Sequence, residues 1–150
     1  MPGAAPASVP DPPSPMSFRF EHEVEIRWSD LDACGVLNNA TYLTLLEQAR
    51  WEYFSRLELL EPEDRFPFLL GETCIRFLKP GGTGKLRVLA KVQELGRKSF
   101  EMVYEVCDGE EVLANAVATL VWVDRDLKST PIPAEARERI SRYEEIPAGV

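Results

Sequence analysis

One segment of helical periodicity, residues 40–57, constrains the fold of this chain more than any other feature. Within it, apolar side chains fall on an arc that covers roughly half of a helical wheel. The residues of this arc are Tyr42, Leu43, Leu45, Leu46, Ala49, Tyr53, Phe54 and Leu57. A helix of about 17 residues would be about 25 Å long, enough to cross a small domain. Because the arc is so wide, we expect a central helix that other elements wrap.

The other periodic segments indicate β-strands. Residues 18–28 alternate strictly between apolar and charged positions, which predicts a half-buried strand. Its apolar face is expected to carry Phe18, Phe20, His22, Val24, Ile26 and Trp28. Four further strand-like runs follow the helix, at 71–78, 85–95, 99–107 and 111–123, and a short polar helix is expected from Pro133.

Short connections between these runs determine the expected topology. The sequence KPGGTG at 79–84 predicts a turn, and Asp108-Gly109 is a strong hairpin signal between the last two strands. Strands joined by such short links favour an antiparallel meander. The predicted fold class is therefore α+β, with a curved antiparallel sheet of about five strands wrapped around one long central helix.

Composition limits the domain count and the classes of partner. The chain of 150 residues with 45% hydrophobic content fits one domain with a packed core. Residues 1–15 are rich in proline and alanine and lack the pattern of a secretory signal, so we expect a disordered tail ahead of a single domain at 16–150. The apolar runs are too short to span a bilayer as helices. The net charge of −8 argues against nucleic acid and against adsorption to anionic lipid.

The number and spacing of the cysteines indicate whether the protein resides in an oxidising or a reducing compartment. Cys34, Cys74 and Cys107 are an odd number without CxxC spacing, which argues against a disulfide framework or a zinc site. We therefore expect three free thiols in a reducing cytoplasm.

The segment RWSDLDACGVLNNATYLTLLEQAR, at 27–50, joins the first strand to the helix. It places Asp30 and Asp32 ahead of a glycine, with Asn38 and Asn39 immediately before the helical pattern. Aspartate often shapes turns and asparagine often caps helices, so a purely structural role is available to all four residues. A carboxylate ahead of unpaired helix N–H groups can also act on a carbonyl that those groups polarise.

Together these features resemble the hotdog-fold thioesterases, and most closely the 4-hydroxybenzoyl-CoA thioesterase-like family of acyl-CoA thioesterases. The matching residues are Asp30 and Asp32 after a strand, Gly35, Asn38, Asn39 and Tyr42, followed by a helix that carries LEQAR. The stretches RFLKPGGTGKLRV, ELGRKSF and ATLVWVD also match, so the resemblance runs from about Phe18 to Asp124. It implies a hotdog fold and the hydrolysis of an acyl-CoA thioester to a carboxylic acid and free CoA.

The resemblance also implies roles for particular residues. The second aspartate of the motif is the catalytic carboxylate of the family and corresponds to Asp32, and a main-chain amide at the position of Asn39 polarises the thioester carbonyl. Whether Asp32 attacks as a nucleophile or activates a water as a general base stays open. Glu47, at the edge of the apolar arc, is a second catalytic candidate, and Gly35 and Tyr42 are expected to contact the substrate.

Arg50 is an unusual residue for the apolar arc because a buried guanidinium needs a partner. Glu47 lies three residues earlier and can reach it. We therefore expect a structural ion pair rather than a substrate contact.

Basic residues between the predicted strands are candidates for binding the phosphates of CoA, since an acidic chain must supply local positive charge to hold them. Lys79, Arg97 and Lys98 are these candidates, and the alternative is that they are solvated loop charges. Gly96 favours the GRKS turn because it allows close backbone approach. No metal or redox cofactor is expected. The resemblance implies a homodimer or homotetramer in which sheets join edge to edge and each site uses both chains.

Two other functions remain open. One is a hotdog domain that binds acyl-CoA without turnover. The other is an acyl-carrier-protein thioesterase, although related enzymes of that class have Asn and His where this chain has Cys34 and Val36. A hotdog dehydratase is disfavoured, because His22 is the one histidine and precedes the helix.

Overall fold

The computed structural model describes residues 17–149, so the expected tail of residues 1–15 lies outside the described residues. The elements in chain order are β1 (Phe20–Glu25), a 3₁₀ turn (Trp28–Asp30), α1 (Asn39–Arg56), β2 (Phe68–Phe77), β3 (Lys85–Leu95), β4 (Ser99–Asp108), β5 (Glu111–Trp122) and α2 (Ala134–Glu144). The predicted α+β class, with five strands and one long helix, is confirmed. Within residues 17–149 no helix is long and apolar enough to cross a membrane.

The five strands form one antiparallel sheet in the order β1-β3-β4-β5-β2. Strands β3, β4 and β5 form the expected meander, but β2 pairs with β5 rather than with β3, its successor in the chain. The segment 79–84 is therefore a crossing between the two sides of the sheet and not a hairpin turn. On its way it contacts the start of α1, where Leu37 donates its N–H to Gly81 O at 2.9 Å.

One face of the sheet packs against α1 and forms the core. Leu46, Ala49, Tyr53 and Phe54 of the helix are all at most 2% exposed. They belong to one buried cluster with the inward residues of the strands, which include Phe100, Met102, Tyr104, Leu120 and Trp122. Each buried side chain of this size contributes about 1.5–3 kcal/mol to folding. The opposite side of α1 is open, and Leu43 there is 47% exposed.

The first strand is shorter than its alternation predicts. β1 ends at Glu25, and Trp28 falls in the 3₁₀ turn, where its side chain is 88% exposed. The expectation that Trp28 faces the core is wrong. The reason is that a helical turn rotates successive side chains by about 120° instead of alternating them across a strand.

Arg50 is buried as expected, at 4% exposure, but its expected ion pair with Glu47 is wrong. Its Nη1 instead donates to the hydroxyl of Tyr104 at 3.1 Å, and the guanidinium lies 5.9 Å from the centre of that ring. Glu47 is exposed. Because the core face of α1 rests on the sheet, β4 supplies a partner for Arg50 that no spacing within the helix indicates.

Candidate active site

Asp32 lies in a tight loop that its own side chain helps to shape. Its Oδ1 accepts hydrogen bonds from the N–H of Cys34 at 2.7 Å and of Val36 at 3.4 Å. Its N–H also donates to Val36 O at 2.8 Å. Gly35 has a φ of +77°, which a residue with a Cβ adopts only with strain. The loop thereby fixes Oδ1, while Oδ2 makes no hydrogen bond to another described residue.

Asp30 has structural contacts on both sides of this loop. Arg27 donates to its carboxylate from the main-chain N–H at 2.8 Å and from Nη2 at 3.0 Å. The side-chain hydrogen bond from Arg27 lowers the pKa of Asp30 below its ordinary value. The main-chain O of Asp30 accepts from Asn38 N at 2.9 Å, which ties the aspartate loop to the beginning of α1. Asp30 therefore holds the loop in place.

The two asparagines have different roles at the start of α1. Asn38 is the N-cap, and its Oδ1 accepts from Ala40 N at 2.8 Å. Asn39 is the first helical residue, and its side chain is exposed. The N–H of Asn39 has no hydrogen-bond partner among residues 17–149, as is usual for the first turn of a helix. This N–H, at the positive end of the helix dipole, is suited to polarise a carbonyl.

Three of the expected site residues meet in one cavity of about 230 Å³, which we call the helix-start cavity. It is lined by Asn39, Tyr42 and Lys79, together with Phe77, Leu78 and Gly81 among others. Asp32 and Gly35 instead line a neighbouring cavity of about 300 Å³, the aspartate cavity, with Trp28, Ser29 and Leu31. The loop that Asp32 shapes connects the two linings along the chain, because Val36 and Leu37, which complete that loop, line the helix-start cavity.

Tyr42 and Lys79 differ in how firmly they are held. Tyr42 is 3% exposed and its ring packs edge-to-face on Phe77, with centroids 5.1 Å apart. Burial raises the pKa of Tyr42, so its hydroxyl stays protonated at neutral pH. Lys79 is exposed, and its Nζ lies 3.4 Å from Glu111 in a surface ion pair. Such a pair is worth little and leaves Lys79 able to contact an anion.

Arg97 and Lys98 are not brought to these cavities within one chain. Their turn adjoins Ser99, which pairs with Val121 at the end of β5. The main-chain N–H of Lys79 bonds to Leu113 O at the beginning of β5. The two groups are therefore roughly 25 Å apart along the strand.

The turn that carries Arg97 and Lys98 is nevertheless rigidly held. Arg137 of α2, which is 8% exposed, donates to Gly96 O at 2.5 Å and to Arg97 O at 2.8 Å. The side chains of Arg97 and Lys98 are exposed to solvent.

Sequence reasoning missed Trp28 and Phe77 as residues that line the two cavities. Trp28 was expected in the core, and Phe77 belongs to a strand whose position at the sheet edge no local pattern shows. Glu47 is exposed on α1 and makes no hydrogen bond or ion pair with another residue of the described chain. Among residues 17–149 no group of three or more His, Cys, Asp or Glu side chains is placed to hold a metal ion.

A five-stranded antiparallel sheet wrapped on one long helix, with a carboxylate loop at the helix start, defines a hotdog domain of the thioester hydrolase class. The chain belongs to the thioesterase-like superfamily, whose family model matches residues 26–140. The expected family is thus confirmed at the level of the superfamily.

Named relatives and solved structures agree with this assignment. The chain is 32% identical over 121 residues to a 1,4-dihydroxy-2-naphthoyl-CoA hydrolase of Nostoc punctiforme, covering 76% of this chain and 79% of that protein. It is 27% identical over 132 residues to the chloroplastic acyl-acyl carrier protein thioesterase ATL2 of Arabidopsis thaliana, and the match covers 82% of this chain and 70% of that protein. A crystal structure of a Thermus thermophilus thioesterase, complexed with coenzyme A and Zn, matches with a TM-score of 0.79 and 32% identity over 87% of this chain and 98% of that chain.

Proposed function

We propose that this protein is an acyl-CoA thioesterase in which Asp32 is the working carboxylate and the N–H of Asn39 polarises the thioester carbonyl. One observation carries the proposal: the loop amides of Cys34 and Val36 hold Oδ1 of Asp32, and the loop leads directly into α1. Neither Oδ2 of Asp32 nor the first N–H of this helix has a hydrogen-bond partner among residues 17–149. An acceptor and a donor are thus both held in place by main-chain contacts before substrate arrives.

The chemistry follows from these two groups. In the general-base route Oδ2 of Asp32 takes a proton from water as the water oxygen bonds to the carbonyl carbon. The negative charge that develops on the carbonyl oxygen is stabilised by the Asn39 N–H and the helix dipole. The C–S bond then breaks, and the departing CoA sulfur recovers the proton from Asp32. In the nucleophilic route Asp32 itself bonds to the carbonyl carbon, and the C–S bond breaks to release the CoA thiolate. Water then cleaves the resulting anhydride, which regenerates the Asp32 carboxylate and releases the carboxylic acid, and the second proton of the water goes to the thiolate.

Gly35, Tyr42 and Lys79 are proposed to contact the substrate around this centre. Gly35 leaves the wall of the aspartate cavity open, since nothing lies within 4 Å of the position a Cβ would take. Tyr42 supplies a hydroxyl in the helix-start cavity, and Lys79 supplies positive charge at its rim. Because Arg97 and Lys98 lie at the far end of the sheet from Lys79, the proposal assigns them to phosphates of a CoA bound at the site of a second chain, and it includes a homodimer or a pair of such dimers.

The proposed location is the cytoplasm. No disulfide joins the cysteines of the described chain, and Cys34 is exposed, which suits a reducing compartment.

Free-thiol release from a panel of short, long and aromatic acyl-CoAs tests the function. We expect Asp32→Asn to lower kcat by about 10²–10⁴-fold on the best substrate, because general-base assistance has that size. The amide oxygen of an asparagine can still accept the loop N–H groups, so the fold should persist. Asp32→Ala is the matched variant, since it loses the loop contacts as well and should unfold at a lower temperature.

Each alternative has its own outcome. Should Asp32→Asn keep full activity, the carboxylate is elsewhere, and Glu47→Gln would test the second candidate. If the wild type releases no thiol from any acyl-CoA, acyl-carrier-protein thioesters are tested in the same assay. Hydrolysis of these substrates would indicate a carrier-protein thioesterase, and no hydrolysis would indicate a domain that binds acyl-CoA without turnover.

A further inference from the structure

Two consecutive glycines, Gly81 and Gly82, lie in the segment 79–84, which crosses between the two sides of the sheet and which we call the crossing segment. Gly82 has a φ of +95°, and a Cβ added to it would lie 2.7 Å from the Cβ of Leu37. Ordinary contacts of a Cβ begin at 3.4 Å. The main chain at Gly82 therefore lies closer to Leu37 than a residue with a side chain would allow.

Leu37 connects the two groups that the proposed reaction uses. It directly follows Val36, whose N–H and C=O both bond to Asp32. It directly precedes Asn38, the N-cap of α1, and Asn39 comes next as the first residue of the helix. Leu37 is 2% exposed, so close packing fixes its position. A displacement of Leu37 therefore alters where the Asp32 loop lies relative to the Asn39 N–H.

The crossing segment is held on both sides of Gly82. Before it, the N–H of Lys79 donates to Leu113 O of β5 at 3.1 Å. After it, Gly84 O accepts from the N–H of Ile26, the residue that follows β1, at 2.7 Å. Because the segment is tied to two strands of the sheet, we expect a side chain at position 82 to displace Leu37 rather than the segment.

Gly82 is not among the residues that line the helix-start cavity, although Gly81 and Leu37 are. We propose that Gly82 is a positioning residue of the active site. Its missing side chain lets the crossing segment lie against Leu37, and this contact holds the Asp32 loop and the Asn39 N–H at the separation that the reaction needs. The inference rests on the proposed function, because it assigns a support to the two groups which that function uses.

Gly82→Ala tests the proposal, and Gly84→Ala is the matched control. Both glycines have a positive φ, of +95° and +79°, so an alanine strains the main chain at either position. The surrounding space differs, since nothing lies within 4 Å of the Cβ position at Gly84. We therefore expect both variants to unfold at a lower temperature than the wild type, but only Gly82→Ala to lower kcat.

The expected loss of kcat in Gly82→Ala is about 10²-fold. The Cβ of Leu37 must move from 2.7 Å to at least 3.4 Å from the new methyl group, and a misplacement of about 1 Å has an effect of that size. Thiol release from an acyl-CoA measures kcat, and KM should change little because Gly82 lies outside the cavity lining. A wild-type kcat in Gly82→Ala would overturn the proposal, and so would an equal loss in Gly84→Ala.

Substitutions of Leu37 identify the atom that transmits the effect. Leu37→Ala keeps the Cβ, so adding Gly82→Ala to it should still lower kcat by about 10²-fold. Leu37→Gly removes the Cβ, so adding Gly82→Ala to that variant should leave its kcat unchanged. An equal loss in both backgrounds would overturn the proposal. If Gly82→Ala alone does not fold, its combination with Leu37→Gly should still fold, and failure of that double variant would also overturn the proposal.

Amide NMR spectra keep this inference distinct from the proposed function, because they need no turnover. The N–H of Cys34 bonds to Asp32 and reports the loop, and the N–H of Asn39 reports the helix start. If both resonances shift in Gly82→Ala but not in Gly84→Ala, and the wild type hydrolyses nothing, the positioning stands and the thioesterase proposal falls. If the wild type hydrolyses acyl-CoA and neither resonance shifts in Gly82→Ala, the thioesterase proposal stands and the positioning falls.

Discussion

Replacing Asn39 with proline removes the main-chain N–H donor together with the exposed side-chain amide. Asn39 is the first residue of α1, a position where proline is favoured because its missing N–H would have no helical partner. The residue before a proline must be extended, and Asn38 already has φ −63° and ψ 133°. Because the Asn39 N–H bonds to nothing in the described chain, we expect stability to change by less than about 1 kcal/mol.

The effect on catalysis should be much larger. If this N–H stabilises the charge on the carbonyl oxygen, its loss should lower kcat by about 10²–10³-fold, or about 2.7–4 kcal/mol in the transition state. Asn39→Ala keeps the N–H and removes the exposed side chain, so it should retain wild-type kcat. Steady-state thiol release measures kcat and KM, and thermal unfolding checks that both variants fold.

Two results would refute this reasoning. A folded Asn39→Pro variant with wild-type kcat would show that the amide takes no part in the reaction. A large loss in Asn39→Ala would show that the side chain, rather than the main-chain N–H, contacts the substrate.

Two further predictions concern stability. Arg27 lowers the pKa of Asp30 in the folded protein. The stabilisation from this pair is therefore complete above the pKa that Asp30 has in the unfolded chain, and it is lost as the pH falls through the pKa of Asp30 in the folded protein. Asp30→Asn should therefore lower Tm at pH 6, with the difference from wild type shrinking toward pH 2; a constant difference would contradict the linkage. Tyr53→Phe deletes the 2.6 Å hydrogen bond to Glu144 Oε2 and should cost about 1–3 kcal/mol in urea unfolding, whereas an unchanged midpoint would show that the bond is energetically neutral.

The local parts of the site could be read from the sequence because their contacts are local. The Asp32 loop closes through amides two and four residues away, and Asn38 caps through an amide two residues away. Asp30 meets Arg27 across three residues. Turn and cap chemistry of this kind depends on residue type and short spacing, so the motif indicates it directly.

Contacts between distant segments could not be read in the same way. Tyr104, the partner of Arg50, lies 54 residues further along the chain. Glu47 lies only three residues from Arg50 and was predicted as its partner for that reason, and this prediction was wrong. Arg97 and Lys98 matched the chemistry of phosphate binding, but β-sheet register places them at the far end of the sheet from Lys79.

The sequence by itself determined the class of fold, the order of one helix and five strands, and the loop that leads into the helix, because side-chain periodicity and turn residues act over a few positions. Only the tertiary structure decided that β2 crosses to the edge beside β5, that Trp28 turns outward, and that the basic residues divide between the two ends of the sheet. These outcomes depend on which strands pair, and strand pairing is determined by packing of the whole sheet against α1 rather than by any local pattern.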